Sequence, residues 1–392
     1  MHILYGFSNC TDKKYNELMS GKNISILRPD QKYHGLLIKG LAANGAHVKC
    51  FSGLPINRAL TRKVFIREKD EQESNAYYHY INTINLPLFR QITVFFGSLF
   101  SVLFTKKKPD TYIICDCLNI ATAYGMTLAA KIKRIPVITI VTDIPDMMYG
   151  KGITQKVANS FFRSVNGFIL LTEQMNSRVN QKNKPNIVLE GHVDSNQAEI
   201  DTGDKTEALS GLRQIIYAGS VNEIYGIKNL VEGFILANLE NCELLIYGDG
   251  DFVTSLKEIT AKYQTIKYMG VRENSEVVKV EQTAALLVNP RPSAPEYTKY
   301  SFPSKNMEYM VSGTPLLTTK LPGMPEEYYP YVYLLEDETP MGISDSLREI
   351  FALPPDKRNK KGAAAREFVL NNKSNVMQAK NIIEFLTKEV KI

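Results

Sequence analysis

Cysteine is scarce in this chain of 392 residues, and the pattern of its cysteines excludes a disulfide-rich secreted domain. There are five cysteines, an odd number, and their spacing fits neither a disulfide framework nor a zinc site. Two of them, Cys115 and Cys117, lie in an apolar run that is typical of a strand. We therefore expect buried, reduced thiols in a cytoplasmic protein.

We expect no secretory signal, because the first residues have no basic region or cleavage site, and the sequence has no long uninterrupted apolar run. The longest apolar run, residues 86–104, contains Pro87 and Arg90 and is followed by Lys106-Lys107-Lys108. Its length is borderline for a bilayer span. We expect a helix that packs on a sheet. The alternative is a helix on the inner face of the membrane, with its apolar side toward lipid and its lysines at the headgroups.

The net charge of +6 is unevenly distributed. Residues 1–200 contain 25 Lys and Arg against 15 Asp and Glu, whereas residues 201–392 contain 22 against 26. A basic first half indicates an anionic surface or an anionic acceptor, and a solvated surface without a partner is the alternative. Nucleic acid is not expected, because no basic stretch is interleaved with aromatic residues in a recognisable module.

Strand-like and helix-like segments alternate along the chain, which predicts an α/β protein with two doubly wound parallel sheets. The predicted strands are 1–6, 46–52, 110–116, 136–142, 167–171 and 186–189, then 214–218, 243–247, 265–269, 284–288, 315–319 and 331–334. A helix is predicted over 32–44 and ends before Gly45. The polar residues 191–210 predict a linker between two domains.

Residues 300–319 form the most informative segment. Phe302-Pro303-Ser304 predicts a helix start, because proline is tolerated in a first turn and serine suits a cap. Met307, Met310 and Val311 are expected to face a core, and Gly313 to end the helix before a strand over 314–319.

Lys305 and Glu308 lie three residues apart on one face of this helix. A lysine at a helix N-terminus favours phosphate, because free N–H groups and the helix dipole attract an anion. A carboxylate one turn later can bind the two hydroxyls of a ribose. The combination predicts a nucleotide site, and an ordinary helix–strand unit is the alternative.

The same segment resembles the nucleotide-sugar site of the retaining glycosyltransferases with the GT-B fold, the "group 1" family. That family shows Glu-x-Phe-Gly-x-x-x-x-Glu followed by Gly-x-Pro. Phe302 and Glu308 match the Phe and the second Glu, and Gly313-Thr314-Pro315 follows in register. Tyr300 replaces the first Glu and Pro303 replaces the Gly. The resemblance implies donor-sugar contacts from Tyr300, Ser301 and Phe302.

Three more segments of the second half resemble the family's nucleotide site. They lie at residues 219–226, at Gly248 and at Gly270-Val271. Gly219-Ser220 and Tyr225-Gly226 stand where the family has Gly-Arg and Lys-Gly, so both diphosphate-binding cations are absent and Lys305 is the expected substitute. Gly248 lies in a Gly-rich turn without the third glycine of a dinucleotide fingerprint. The nucleotide-binding residues implied by the resemblance are Gly219, Ser220, Gly248, Gly270, Val271, Ser304, Lys305 and Glu308.

In the first half, Thr142-Asp143 follows an apolar strand at a point where many relatives carry a histidine. Asp143 is therefore the candidate on the acceptor side for removing a proton or orienting a hydroxyl, and Lys305 is the second catalytic candidate. A helix-capping role for Asp143 is the alternative.

The resemblance implies two Rossmann-like domains that face a cleft, over 1–195 and 196–374, and a helix over 375–392 that crosses back. The expected reaction is transfer of a sugar from a nucleotide donor, UDP-linked, to a glycan or lipid-diphosphate acceptor in cell-surface polysaccharide synthesis. Anomeric configuration would be retained, with neither a metal nor a cofactor. The alternatives are a noncatalytic nucleotide-sugar-binding partner and a GT-B-like epimerase or phosphorylase. The lack of a carboxylate pair opposes a glycosidase, and the incomplete fingerprint opposes a dinucleotide oxidoreductase.

Overall fold

The computed structural model describes residues 1–20, 29–149, 152–199 and 211–390. Contacts divide the chain into two compact units. Unit 1 comprises residues 1–192 and 374–392, and unit 2 comprises residues 193–373. Most of the predicted linker lies outside the described residues.

Unit 1 contains an eight-stranded sheet and a separate two-stranded ribbon. Its strands are β1 (His2–Gly6), β2 (His47–Ser52), β3 (Phe65–Ile66), β4 (Glu71–Glu73), β5 (Ala76–Tyr80), β6 (Thr83–Ile84), β7 (Thr111–Asp116), β8 (Val137–Val141), β9 (Gly167–Leu170) and β10 (Asn186–Val188). Its first helices are α1 (Asp12–Met19), α2 (Pro29–Ala43), α3 (Phe89–Phe104), α4 (Ile120–Lys133), α5 (Pro145–Tyr149), α6 (Ile153–Ser164) and α7 (Glu173–Val179).

The large sheet of unit 1 has the strand order β10-β9-β8-β7-β1-β2-β5-β4. Its strands are parallel except for β4, which pairs antiparallel with β5 at the edge. The prediction of a purely parallel sheet is therefore wrong at this edge. The sequence of β4, Glu-Gln-Glu, has no apolar pattern, and charged residues are common on edge strands because they discourage pairing with another chain.

Unit 2 contains one parallel sheet of six strands. Its strands are β11 (Arg213–Ala218), β12 (Cys242–Tyr247), β13 (Ile266–Gly270), β14 (Leu286–Asn289), β15 (Leu316–Thr319) and β16 (Tyr333–Leu335). Its helices are α8 (Ile227–Ala237), α9 (Val253–Lys262), α10 (Asn274–Thr283), α11 (Ser304–Val311), α12 (Pro340–Ala352) and α13 (Pro355–Lys373). The strand order β13-β12-β11-β14-β15-β16 reverses between β11 and β14. We call this place the switch point, because open α/β sheets bind ligands where the strand order reverses.

All twelve predicted strands are confirmed, each with bounds within two residues of the observed ones. The predicted helix over 32–44 begins earlier, at Pro29, and Gly45 takes the left-handed φ of 80° that favours glycine after a helix. The five cysteines are all buried and free of disulfides, which confirms the prediction of buried thiols. Among the described residues, no helix is both long enough and apolar enough to cross a membrane.

Helix α14 (Asn375–Lys388) follows unit 2 in the chain and forms part of unit 1. Its residues Ala379, Ile382 and Leu386 are fully buried in the core that α2 also lines. The two helices approach closely at Gly40 of α2, where a Cβ atom would lie 2.1 Å from the carbonyl oxygen of Asn375. This contact leaves no room for a larger residue at position 40.

We expect Gly40→Ala to destabilise unit 1 by about 1–3 kcal/mol, because the added methyl group overpacks the contact between α2 and α14. Gly35 lies on the same helix with no atom within 4 Å of an added Cβ, so Gly35→Ala is the matched control. That variant should be neutral or more stable by up to about 1 kcal/mol. Urea unfolding of both variants measures the difference, and equal destabilisation would contradict the packing argument.

Candidate active site

The switch point opens where β11 and β14 stop pairing. Their paired residues end at Ile216 and Leu287, so Ala218 at the end of β11 has no strand partner on that side. The buried hydroxyl of Tyr309, on α11, accepts a hydrogen bond from the Ala218 N–H at 2.8 Å and donates one to its carbonyl at 3.0 Å. One side chain thus satisfies both backbone groups and fixes α11 beside the switch point.

Three predicted glycines lie where adjacent strands end on this side of the sheet: Gly219 and Gly248 directly follow β11 and β12, and Gly270 is the last residue of β13. The Gly248 N–H donates to the Gly270 carbonyl at 2.9 Å, and the Gly219 N–H donates to the Tyr247 carbonyl at 3.0 Å. Gly248 has a φ of 127°, and a Cβ there would lie 1.8 Å from the Gly219 carbonyl oxygen. The structure therefore brings Gly219, Gly248 and Gly270 together, and only glycine fits at position 248.

Helix α11 begins at Ser304, and its cap residue is Pro303 without a side-chain hydrogen bond. The prediction that a serine caps this helix is therefore wrong, because Ser304 is already helical and exposed. The predicted core residues Met307, Met310 and Val311 are buried, which confirms the orientation of the helix. The exposed Val271 follows β13 at the same edge of the sheet.

Lys305 is paired with two carboxylates. Its ammonium nitrogen lies 2.7 Å from a Glu308 oxygen and 3.8 Å from an oxygen of Glu281, which is on α10. The Glu281 side chain is only 1% exposed, whereas that of Lys305 is 32% exposed. Burial opposes the charged form of Lys305, but Glu308 and Glu281 outweigh it and raise its pKa above the ordinary value. The predicted phosphate contact and the predicted ribose contact are thus joined by an ion pair.

Asn306 connects α11 to two strand ends, and sequence reasoning missed it. Its side-chain oxygen accepts a hydrogen bond from the Asn289 amide at 2.6 Å, and its own amide donates to the Thr318 hydroxyl at 3.2 Å. Asn306 is fully buried. The available signal was a polar residue beside the apolar face of the helix, which is costly to bury without such partners.

The predicted donor-sugar residues have different surroundings. The ring of Phe302 is buried 5.0 Å from that of Tyr328, centroid to centroid, so any sugar contact would come from its backbone. The Ser301 hydroxyl is buried and has no hydrogen-bond partner among the described residues. Tyr300 is half-buried at the end of a short 3-10 segment, Glu296–Tyr300.

In unit 1, Asp143 follows β8 and is half-buried, and its carbonyl oxygen lies 3.8 Å from the Cys117 sulfur. A buried polar chain that sequence reasoning missed ends beside it. The Tyr5 hydroxyl lies 2.6 Å from Nδ1 of His34, whose Nε2 lies 3.3 Å from Oδ2 of Asp116. The Thr142 hydroxyl donates to the same Asp116 oxygen at 3.4 Å. Asp116 is the last residue of β7, and Asp143 lies two residues after the end of β8. A carboxylate at a strand end was the signal in the sequence that could have identified Asp116.

No group of three or more His, Cys, Asp and Glu side chains that could hold a metal ion occurs in residues 1–20, 29–149, 152–199 and 211–390.

Residues 201–368 match the family described as "Glycosyl transferases group 1". The match to the group 1 glycosyltransferases therefore lies within unit 2 of the chain. HepE from Anabaena, solved with UDP, has a similar structure over 99% of this chain and 100% of its own, with a TM-score of 0.66 and 14% identity. Sucrose-phosphate synthase from Thermosynechococcus elongatus is similar over 99% of both chains, with a TM-score of 0.64 and 13% identity. These likenesses show that the protein has the GT-B fold. No curated protein matches it in sequence.

We expect Lys305→Met to destabilise unit 2, because Glu281 would stay buried without its cation. The expected loss is about 1–3 kcal/mol, less than for a fully buried pair because Lys305 is partly exposed. The double variant Lys305→Met/Glu281→Gln should recover most of this loss. Urea unfolding at pH 7 gives both values.

The matched control is Lys228→Met, which removes an exposed lysine 3.4 Å from Glu223 in the same unit. Its effect should stay within about 0.5 kcal/mol. A double variant no more stable than Lys305→Met would show that Glu281 does not depend on the lysine.

Proposed function

We propose that this protein is a group 1 glycosyltransferase that transfers a sugar from a UDP-sugar to a glycan or lipid-diphosphate acceptor, with retention of anomeric configuration and without a metal or other cofactor. The observation that carries the proposal is the convergence of the Gly219, Gly248 and Gly270 turns with the start of α11 at the switch point. UDP as the donor nucleotide is supported by similar structures of HepE, which were solved with UDP and with UDP-glucose.

In the proposed mechanism, the protein stabilises charge on the departing diphosphate. We assign this role to Lys305, to the backbone at Gly219-Ser220 and to the first turn of α11 at Ser304. Glu308 would bind the ribose hydroxyls, and the backbone at Gly270-Val271 would contact the base. Lys305 and Glu308 already form an ion pair through one Glu308 oxygen, so the phosphate and ribose contacts of the nucleotide would lie side by side.

We assign the donor-sugar contacts to Tyr300, Ser301 and the backbone of Phe302. The buried Ser301 hydroxyl supports this assignment, because it has a donor and acceptor capacity that the described residues leave unused. On the acceptor side, we assign to Asp143 the orientation of the attacking hydroxyl.

The donor assignment predicts that UDP raises the melting temperature of the protein more than GDP, ADP or NAD at equal concentration. A ligand at 100 times its dissociation constant adds about 2.7 kcal/mol to the free energy of unfolding. Differential scanning fluorimetry measures the shift. Stabilisation by none of these nucleotides, or by NAD alone, would refute the proposed donor site.

Turnover separates the proposed transfer from its alternatives. Transfer from a UDP-sugar releases UDP only with an acceptor, whereas an epimerase converts one UDP-sugar into another without one. A noncatalytic partner does neither. NMR of the anomeric proton in the product tests retention, and an unchanged rate in EDTA tests metal independence.

The proposal of a lipid-linked acceptor is supported by an exposed apolar stripe on α3. Leu88 and Ile92 precede three phenylalanines at four-residue spacing, Phe96, Phe100 and Phe104, which are 47%, 48% and 85% exposed. Their rings stack with centroids 6.2 and 6.1 Å apart. The opposite face of α3, which includes Val94 and Val102, is buried. A contiguous exposed patch of this kind marks an interaction surface.

The occupant that we assign to this stripe is an anionic bilayer. Exposed Leu128 and Ile132 of the neighbouring helix α4 add apolar area. Lys106, Lys107 and Lys108 follow the stripe directly and are exposed. Apolar side chains beside a lysine cluster suit the acyl and headgroup layers of a membrane surface.

We expect the protein to cosediment with vesicles of phosphatidylglycerol and phosphatidylcholine at low salt. Phe96→Ser/Phe100→Ser/Phe104→Ser should lower this binding at least about tenfold, because burial of each ring in lipid contributes about 1 kcal/mol or more. Leu236→Ser, an exposed apolar residue of unit 2, is the control and should bind like the wild type. Equal binding of the triple variant would exclude the stripe as the membrane contact.

A further inference from the structure

Arg291 lies at the switch point, two residues after β14 ends. Its guanidinium carbon lies 4.8 Å from the ring centroid of Tyr297 and 5.6 Å from that of Tyr225. The side chain is half-buried, and its Nε atom is buried without a hydrogen-bond partner in the part of the chain that the structure describes. Two rings therefore hold the cation in place while it keeps donors for another group.

Arg291 contacts Tyr225, which lies in the loop after β11. The same loop contains the Gly219-Ser220 turn, to which we assign the diphosphate. Gly226 has a φ of 80°, and a Cβ there would lie 2.1 Å from the carbonyl oxygen of Pro290, so the loop after β11 contacts the loop after β14. Tyr225 occupies the position at which the family resemblance expects a lysine. The positive charge of Arg291 thus lies beside the place where the sequence lacks its expected cation.

The charge of Arg291 also acts on Tyr217, which hydrogen-bonds to the Gly219-Ser220 turn. The Tyr217 hydroxyl donates a hydrogen bond to the Ser220 carbonyl at 2.7 Å. Burial and the nearby Tyr225 raise the pKa of Tyr217, and the charge of Arg291 acts in the opposite direction.

Lys305 and Arg291, the two cations of the site, differ in whether carboxylates already pair with them. Lys305 has Glu308 at 2.7 Å and Glu281 at 3.8 Å, so an incoming anion must compete with two carboxylates. No carboxylate of the described residues pairs with Arg291, whose ring partners leave the edge of the guanidinium available. A guanidinium edge matches the oxygen atoms of a phosphate in two parallel hydrogen bonds.

We propose that Arg291 binds the diphosphate of the nucleotide donor and replaces the cations missing at Ser220 and Tyr225. This inference rests on the proposed nucleotide-sugar site. Tyr225 and Tyr297 are positioning residues, because they hold the guanidinium and do not themselves carry the charge.

The test compares UDP with uridine, which has the base and ribose without the phosphates. Titration calorimetry on the full chain should show that Arg291→Gln weakens UDP binding about 10- to 100-fold, since a charge-assisted contact is lost. Uridine affinity should stay unchanged. Arg291→Lys keeps the charge without the planar fork and should give an intermediate UDP affinity. Raising the salt concentration should weaken UDP binding less in Arg291→Gln than in the wild type.

The matched control is Arg213→Gln. Arg213 is the first residue of β11, at the opposite end of this strand from the switch point, and its guanidinium carbon lies 4.9 Å from the Phe351 ring centroid, so the control also removes an arginine from an aromatic face. It should bind UDP like the wild type. Equal losses of UDP and uridine affinity in Arg291→Gln would make Arg291 a structural residue and overturn the inference, as would unchanged UDP affinity. A wild type that binds none of UDP, GDP and ADP would instead overturn the proposed function, and the inference with it.

Discussion

The divergence of β11 from β14 is the constraint on which the candidate site depends. Two parallel strands that stop pairing leave backbone groups without partners, and such groups are costly to bury. Tyr309 satisfies both groups of Ala218, and its helix α11 is held where the strands separate. Asn306 of the same helix forms hydrogen bonds with side chains at the ends of β14 and β15. The position of Lys305 and Glu308 is therefore a consequence of how the sheet ends are completed.

The electrostatics of unit 2 follow from this framework. Glu281 is almost fully buried, so it requires a cation, and Lys305 supplies one from the adjacent helix. The pairing of Lys305 with Glu281 therefore contributes to the stability of unit 2, in addition to the proposed role of Lys305 in binding phosphate. Arg291 is held by aromatic rings, which stabilise a cation without neutralising it. One site thus contains a cation that the fold needs and another that the fold leaves available.

The sequence was sufficient for twelve of the sixteen strands in the described residues and for the strand-end glycines, because apolar runs and Gly-rich turns are local patterns. It did not predict β3, β4, β5 and β6, which lie between residues 65 and 84. The helix after Phe302 was also predictable, although its cap was not, because Pro303 rather than Ser304 takes the cap geometry. The short polar strand β4 carries no apolar signal, and its pairing with β5 depends on the rest of the sheet. The partners of Asn306, Arg291 and His34 are distant in sequence or defined only by packing, so no local pattern could reveal them.

The placement of α14 has a consequence for how the protein forms on the ribosome. Unit 2 interrupts unit 1 in the chain, so residues 1–192 are synthesised before the helix that packs against Gly40. Domains tend to fold as units during synthesis, with the N-terminal part first. Here the first unit to emerge must keep the apolar face of α2 without its partner until unit 2 has been made. The nascent chain therefore has an exposed α2 surface for roughly the time needed to translate unit 2.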